Sequence, residues 1–191
     1  MTRPLPQFIK YWLLALLLAL SFSPPSFASD GVELSQAHIE ASDDGYRLSA
    51  TFSFDLNRGL EDVINRGVTL YFTTDIELTR PRWYWFDEKA ITATQTIRLQ
   101  YNVITRRYNV AINGSLQQSF STLDEALSLI RRPSRWLIAD KSALKQGEVY
   151  RVAVRMGLDL GLLSKPFQVN ALNNSDWRFS SDWKSFNYKA E

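Results

Sequence analysis

Apolar and polar residues alternate with a period of two along much of this chain. From Tyr46 to Leu56 every even-numbered residue is apolar and every odd-numbered residue is polar. The same alternation returns at residues 68–78, 97–103 and 150–160. A strand with one apolar and one polar face is typical of an antiparallel sheet that covers a core on one side. The pattern therefore predicts an all-β, mostly antiparallel fold, either a β-sandwich or a flattened barrel.

Turn residues separate these segments and set the predicted order of strands. Asp43-Asp44-Gly45 follows a first strand near residues 32–41. Asn113-Gly114 is a strong signal for a two-residue hairpin. That hairpin would pair Ile112 with Ser115 and Val110 with Gln117, which leaves one side only half apolar. We expect it at the edge of a sheet.

Two short helices are predicted to pack on the sheet ends. Asn57 can accept a hydrogen bond at the start of the first helix, and Gly67 can end it in the left-handed conformation. Thr122 and Glu125 have the spacing of a capping box at the start of the second helix. Pro133 would stop that helix.

The first 28 residues predict a cleavable signal peptide. Arg3 and Lys10 precede an uncharged apolar run at residues 11–22, and Ser26-Phe27-Ala28 places small residues at a cleavage site. A spanning helix needs roughly 20 apolar residues, so this run favours cleavage over an uncleaved anchor. We expect residues 29–191 to form a single β-rich domain in the periplasm, with no transmembrane segment after cleavage.

Charge and composition narrow the range of functions. The chain has 22 Lys and Arg against 20 Asp and Glu. Because Arg3 and Lys10 belong to the predicted signal peptide, residues 29–191 carry 20 of each and are neutral. A nucleic-acid-binding domain is usually clearly basic, so no nucleic-acid partner is predicted. The chain contains no cysteine, which excludes thiol catalysis and thiolate metal sites.

Few residues carry recognisable chemistry. His38 is the only histidine, so neither a zinc site nor a Ser-His-Asp triad is supported. Asp87 and Glu88 could serve a glycosidase, but neighbours on a strand point to opposite faces and could not flank one bond. We predict no catalytic residue, no metal and no cofactor, and the sequence favours a protein that is not an enzyme.

The most unusual stretch is residues 80–88, which contains four consecutive aromatic side chains. On a strand, Trp83 and Trp85 would face one way and Tyr84 and Phe86 the other. One pair would then join the core, and the other would be covered within the chain or left open for a partner. Exposed tryptophan beside arginine is the usual chemistry of binding hot spots.

A second arginine pair lies on the predicted strand at residues 150–160. Arg151, Arg155 and Asp159 share its polar face, and residues four apart on one face lie roughly 13 Å from each other. Each would need a partner from a neighbouring strand or from a ligand. If this face adjoined that of Arg80 and Arg82, the arginines would suit an anionic ligand; otherwise they would form ordinary ion pairs. The predicted binding residues are Arg80, Arg82, Trp83, Trp85 and Arg155.

Several segments resemble a proteobacterial family of exported proteins with a domain of unknown function. The resemblance rests on residues 46–50, 80–85, 101–108, 154–159 and 165–169, and on the closing Asp182-Trp183 pair. It implies no activity, because the family has none assigned. It implies an accessory role in envelope signalling, since members of the family are often encoded beside membrane sensor kinases.

Three functions remain open from the sequence. The leading one is a non-enzymatic periplasmic module that binds an envelope protein or an anionic envelope ligand. The second is a carboxylate-dependent cell-wall hydrolase, which requires two acids to converge beside Trp83 or Trp85. The third is an envelope assembly factor or chaperone, which requires a long open sheet edge.

Overall fold

Two antiparallel sheets form the framework of the described part of the protein. The computed structural model describes residues 31–84 and 86–191. The predicted signal peptide at residues 1–28 and the predicted binding residue Trp85 lie outside the described residues. Strand accounts for 47% and helix for 21% of the described residues, so the prediction of a mostly β fold with short helices is confirmed.

The strands and helices follow one another in the order β1 to β9 with three α-helices between them. The strands are β1 Glu33–Ser42, β2 Gly45–Ser53, β3 Leu70–Arg80, β4 Glu88–Asn102, β5 Arg107–Ile112, β6 Gln118–Phe120, β7 Trp136–Ala139, β8 Val149–Leu158 and β9 Lys184–Lys189. The helices are α1 Arg58–Asn65, α2 Leu123–Ile130 and α3 Lys165–Asn173.

Each sheet is fully antiparallel. The smaller sheet has the strand order β1-β2-β7, and the larger has the order β6-β5-β4-β3-β8-β9. The strands β3 and β4 are neighbours in sequence and in the sheet, whereas β8 reaches β3 from much later in the chain. The larger sheet therefore brings the end of β3 beside the start of β8.

The core lies between the two sheets and matches the alternation in the sequence. On β3 the even-numbered residues from Leu70 to Leu78 are buried, and the odd-numbered residues are partly exposed. Three aromatic rings join the sheets and the C-terminal segment: Phe54 lies 6.2 Å from Phe72, and Phe179 lies 5.0 and 5.6 Å from these two ring centroids. Close aromatic pairs of this kind add to the stabilisation that burial provides.

Both predicted helices begin as expected. The Asn57 side chain accepts a hydrogen bond from the backbone N–H of Leu60, at 2.9 Å. Thr122 and Glu125 form the capping box at the start of α2. The helix α3 was not predicted, because its apolar residues do not gather on one face and its buried residue is Ala171 alone.

Two local details of the prediction are wrong. The strand β8 ends at Leu158, and Asp159 instead accepts a hydrogen bond from Gly161 N at the start of a 3-10 turn. The connection between β5 and β6 spans residues 113–117, so Val110 pairs with Gln118 and not with Gln117. The hairpin does lie at the edge of the larger sheet, where β6 is the outermost strand.

Candidate functional site

The aromatic run forms a loop and not a strand. Strand pairing ends where Arg80 lies opposite Glu88, and residues 81–87 connect the two strands. Pro81 has no backbone N–H to donate to a ladder, so the strand pairing stops there. We call the described residues 81–84, 86 and 87 the aromatic loop.

The aromatic side chains of this loop face solvent. Trp83 is 93% exposed and Tyr84 is 66% exposed. Their rings form an edge-to-face pair with centroids 5.0 Å apart. Phe86 is also largely exposed. These three residues are therefore not part of the core, and they form an apolar surface at the tip of the β3–β4 hairpin.

One carboxylate holds the two arginines that flank the loop. The Nη2 atoms of Arg80 and Arg82 both donate to Oε2 of Glu88. The hydrogen bonds from Arg82 and then Arg80 lower the pKa of Glu88 below its ordinary value of 4.5. The hydrogen bond to Glu88 in turn raises the pKa of Arg80. Glu88 is thus ionised at neutral pH and paired with both arginines.

An open groove of about 790 Å³ lies between the loop and the start of β8. We call it the arginine groove. It is lined by Arg80, Arg82, Trp83 and Tyr84 on one side and by Glu148, Arg151 and Asn187 on the other. Strand pairing brings the two sides of the groove together, because Arg151 lies opposite Thr79 on β3 and opposite Asn187 on β9.

Arg151 differs from the other two arginines of the groove. Its side chain is exposed and forms no ion pair with any residue of the described ranges. The lining carries three guanidiniums and one carboxylate, a sum of +2, or +1 when Glu88 is included. A guanidinium without a carboxylate partner presents donors suited to an anionic group.

Arg155, also predicted as a binding residue, lies apart from the groove. Its Nε donates to Oδ2 of Asp75 at 2.9 Å, and its guanidinium lies 4.6 Å from the ring centroid of Trp183. Asp75 is on the neighbouring strand β3, directly opposite Arg155. Three of the four arginines considered from the sequence therefore line one groove, and Arg155 has partners within the chain.

The acids near the groove are poorly placed for hydrolysis. Glu88 binds two arginines, so its lowered pKa does not suit a general acid. Oδ1 of Asp87 accepts a hydrogen bond from the backbone N–H of Arg82, at 3.4 Å. Glu148 is the only carboxylate among the residues that line the groove. In the described ranges, no three His, Cys, Asp or Glu side chains converge as metal ligands would.

A comparison with protein-family models found a match over most of the chain. A family model described as "Domain of unknown function (DUF4390)" matches residues 29–187. The chain belongs to this family. Searches of the curated proteins and of the solved structures found no match. The DUF4390 match includes the whole aromatic loop and every residue that lines the arginine groove.

The sequence predicted most of the loop side of the arginine groove and did not predict the residues of the β8 side as binding residues. Arg80, Arg82 and Trp83 lie together as predicted site residues, and Trp85 lies outside the described residues. Tyr84, Glu148 and Arg151 were not among the predicted binding residues, although the strand alternation had marked Arg151 as facing outward. No helix in the described part of the chain has the length and apolarity needed to cross a bilayer.

Proposed function

We propose that this protein is an exported, non-enzymatic binding module of the cell envelope, and that the arginine groove and the aromatic loop form its binding site. The observation that carries the proposal is the position of Arg151. Its guanidinium has no carboxylate partner among the described residues, and it shares a groove with Trp83 and Tyr84 and with two arginines that share one carboxylate. The ligand group is anionic, and the aromatic rings contact an apolar part of the same ligand.

The exposed aromatic side chains and the carboxylates of the groove favour a binding site over a hydrolase active site. Large exposed apolar surfaces on soluble domains usually mark binding sites. Hydrolysis needs two carboxylates of different pKa flanking one bond. The groove offers Glu148, while Glu88 is held ionised by Arg80 and Arg82.

The assembly-factor alternative requires an open sheet edge, and the longest candidate edge carries features that oppose further pairing. The ten-residue strand β1 pairs with β2 alone among the named strands and is an edge of the smaller sheet. However, its register shifts between Leu34 and Gln36, and Glu33 and Glu40 are exposed along it. Bulges and charges of this kind protect an edge from further pairing.

Photo-crosslinking in the native host tests the proposal. A photoreactive amino acid at Tyr84 should capture a defined envelope component, and Arg151→Gln should reduce that adduct. Arg107→Gln is the matched control, because Arg107 is also an exposed strand arginine. Arg155→Gln should behave like the control, since Arg155 lies outside the groove.

Equal amounts of adduct in the Arg151→Gln and Arg107→Gln variants would refute the binding site.

The same preparation tests export, because N-terminal sequencing of the periplasmic protein should return Ser29. Retention of Met1 on the recovered protein would refute the signal peptide.

A further inference from the structure

We propose that the aromatic loop inserts into the interfacial layer of a phospholipid membrane, with Arg151 on a lipid phosphate. The inference rests on the proposed binding function and names the ligand of that site. It begins with the shape of the surface. Trp83 and Tyr84 lie at the tip of a hairpin, beyond the last pair of the ladder at Arg80 and Glu88. A projecting tip can enter a soft layer without a complementary pocket.

The residue types of the tip match the chemistry of the membrane interface. Tryptophan and tyrosine concentrate where the hydrocarbon layer meets the headgroups, because each combines a large apolar ring with a polar atom. Val149, about half exposed, adds apolar surface on the rim of the same groove. The exposed apolar surface therefore continues from the loop to the start of β8.

The arginines line the same groove as the rings, within reach of the headgroup of a lipid that the rings contact. Arg82 follows the strand end and precedes Trp83 in sequence, and Arg151 lies across the groove. Guanidinium groups bind phosphate oxygens through paired hydrogen bonds. Asp87 in the loop and Lys89 on β4 carry opposite charges that cancel, so the net positive charge of this surface is small. We therefore expect the rings to contribute most of the binding, and anionic lipid to strengthen it.

The small area of the tip favours a membrane over a protein partner. An aromatic side chain buries about 150–250 Å², so the rings of Trp83, Tyr84 and Phe86 offer roughly 450–750 Å². A stable protein interface buries about 800 Å² on each partner. A lipid surface needs no such matching area, because it deforms around the inserted rings.

A second exposed apolar tip provides a matched control within the same chain. Val103 and Ile104 lie in the β4–β5 turn, and Ile104 is 93% exposed, as Trp83 is. Arg106 and Arg107 follow this tip, so it also combines apolar and basic residues. It lies at the other end of β4, roughly 45 Å away at about 3.3 Å per residue. It lacks aromatic rings, so the proposal predicts that it does not enter the membrane.

Vesicle binding tests the inference with the purified protein and its substitutions. Vesicles of phosphatidylethanolamine and phosphatidylglycerol should bind the protein, and Trp83→Ala with Tyr84→Ala should weaken binding by about tenfold or more. Arg151→Gln should weaken it by about fivefold, as expected for one arginine near an anionic surface. Ile104→Ala should leave it unchanged.

The lack of cysteine allows a direct measurement of insertion. A single cysteine at Tyr84→Cys or at Ile104→Cys can carry an environment-sensitive fluorophore, since the chain has no other thiol. Vesicles should shift the emission to the blue at position 84 and leave it unchanged at position 104. Circular dichroism of each variant shows whether the fold is kept.

Two results would overturn the inference, and they separate it from the proposed function. If vesicles do not bind, or if binding survives the loss of both rings, the membrane is not the ligand. If a protein is then captured through position 84 in an Arg151-dependent manner, the binding site stands and its ligand is a protein. If neither vesicles nor any captured component depends on Arg151 and Trp83, the inference and the proposed function both fail.

Discussion

At the scale of single residues, Glu88 decides how much positive charge the arginine groove presents. It accepts from Arg80 and Arg82 through one oxygen, so two guanidiniums share one negative charge. Arg151 lies across the groove without a carboxylate partner among the described residues. The groove thus keeps one cation for a ligand, while Glu88 limits the repulsion between the other two.

The pKa of Glu88 tests this arrangement. Because hydrogen bonds from Arg82 and Arg80 lower it, the carboxyl should titrate below 4.5 in the folded protein. Arg82→Gln removes one of the two hydrogen bonds that lower it, so the pKa of Glu88 should rise toward 4.5. NMR of the side-chain carboxyl carbon against pH measures both values, with Arg107→Gln as the control.

The sign of the linked stability follows from the same shift. A carboxyl whose folded pKa is lowered stabilises the fold above its unfolded pKa and loses that effect as the pH falls through the folded value. The contribution of Glu88 to the free energy of unfolding should therefore decrease below about pH 4.5. In the Arg82→Gln variant this decrease should be smaller, because the pKa of Glu88 is lowered less. A Glu88 titration that does not change in Arg82→Gln would contradict the shared pairing.

At the scale of elements, the sequence predicted what depends on local pattern. The alternation assigned the buried face of β2, β3 and β8, and the capping residues placed the starts of α1 and α2. The aromatic loop was harder, because four aromatic residues have high strand propensity while Pro81 ends the ladder. The helix α3 was missed because its helical spacing leaves Val169 and Leu172 exposed.

The start of α1 offers a test at this scale. The Asn57 side chain accepts from Leu60 N at 2.9 Å and donates from Nδ2 to the backbone oxygen of Asp176 at 2.7 Å. Asn57→Ala removes the cap and the link to the C-terminal segment, so unfolding should become easier by about 2 kcal/mol. Urea denaturation measures the change.

Asn57→Ser is the matched control for that substitution. Serine keeps a side-chain acceptor for Leu60 N and is too short to reach the backbone oxygen of Asp176, so its loss of stability should be about half as large. Equal losses in both variants would mean that the link to Asp176 matters and the cap does not.

At the scale of the whole molecule, the site depends on strand pairing between distant parts of the chain. Arg151 reaches the groove because β8 pairs with β3, which places it opposite Thr79. Periodicity gives the face of a residue and leaves its neighbours across the sheet undetermined. That is why Arg155, on the same face of β8, could not be separated from Arg151 by sequence: its register places it opposite Asp75.

The C-terminal segment completes the same architecture, and its removal from the core should affect the whole fold. Phe179 is buried against Phe54 and Phe72, and its backbone oxygen accepts from Leu158 N at 2.9 Å. Ser181 adds a backbone bond to Met156 at 2.7 Å. This segment therefore connects Phe54, which follows β2 of the smaller sheet, with β3 and β8 of the larger sheet.

Phe179→Ala should lower the free energy of unfolding by about 3–5 kcal/mol, as large cavities in aromatic cores do. Trp183→Ala is the control, because Trp183 is 41% exposed and its ring contacts the guanidinium of Arg155 on the outer face. Its loss should cost about 1 kcal/mol or less. Urea denaturation of both variants, followed by circular dichroism, makes the comparison. If the two substitutions cost the same, the segment around Phe179 lies on the sheets without holding them together.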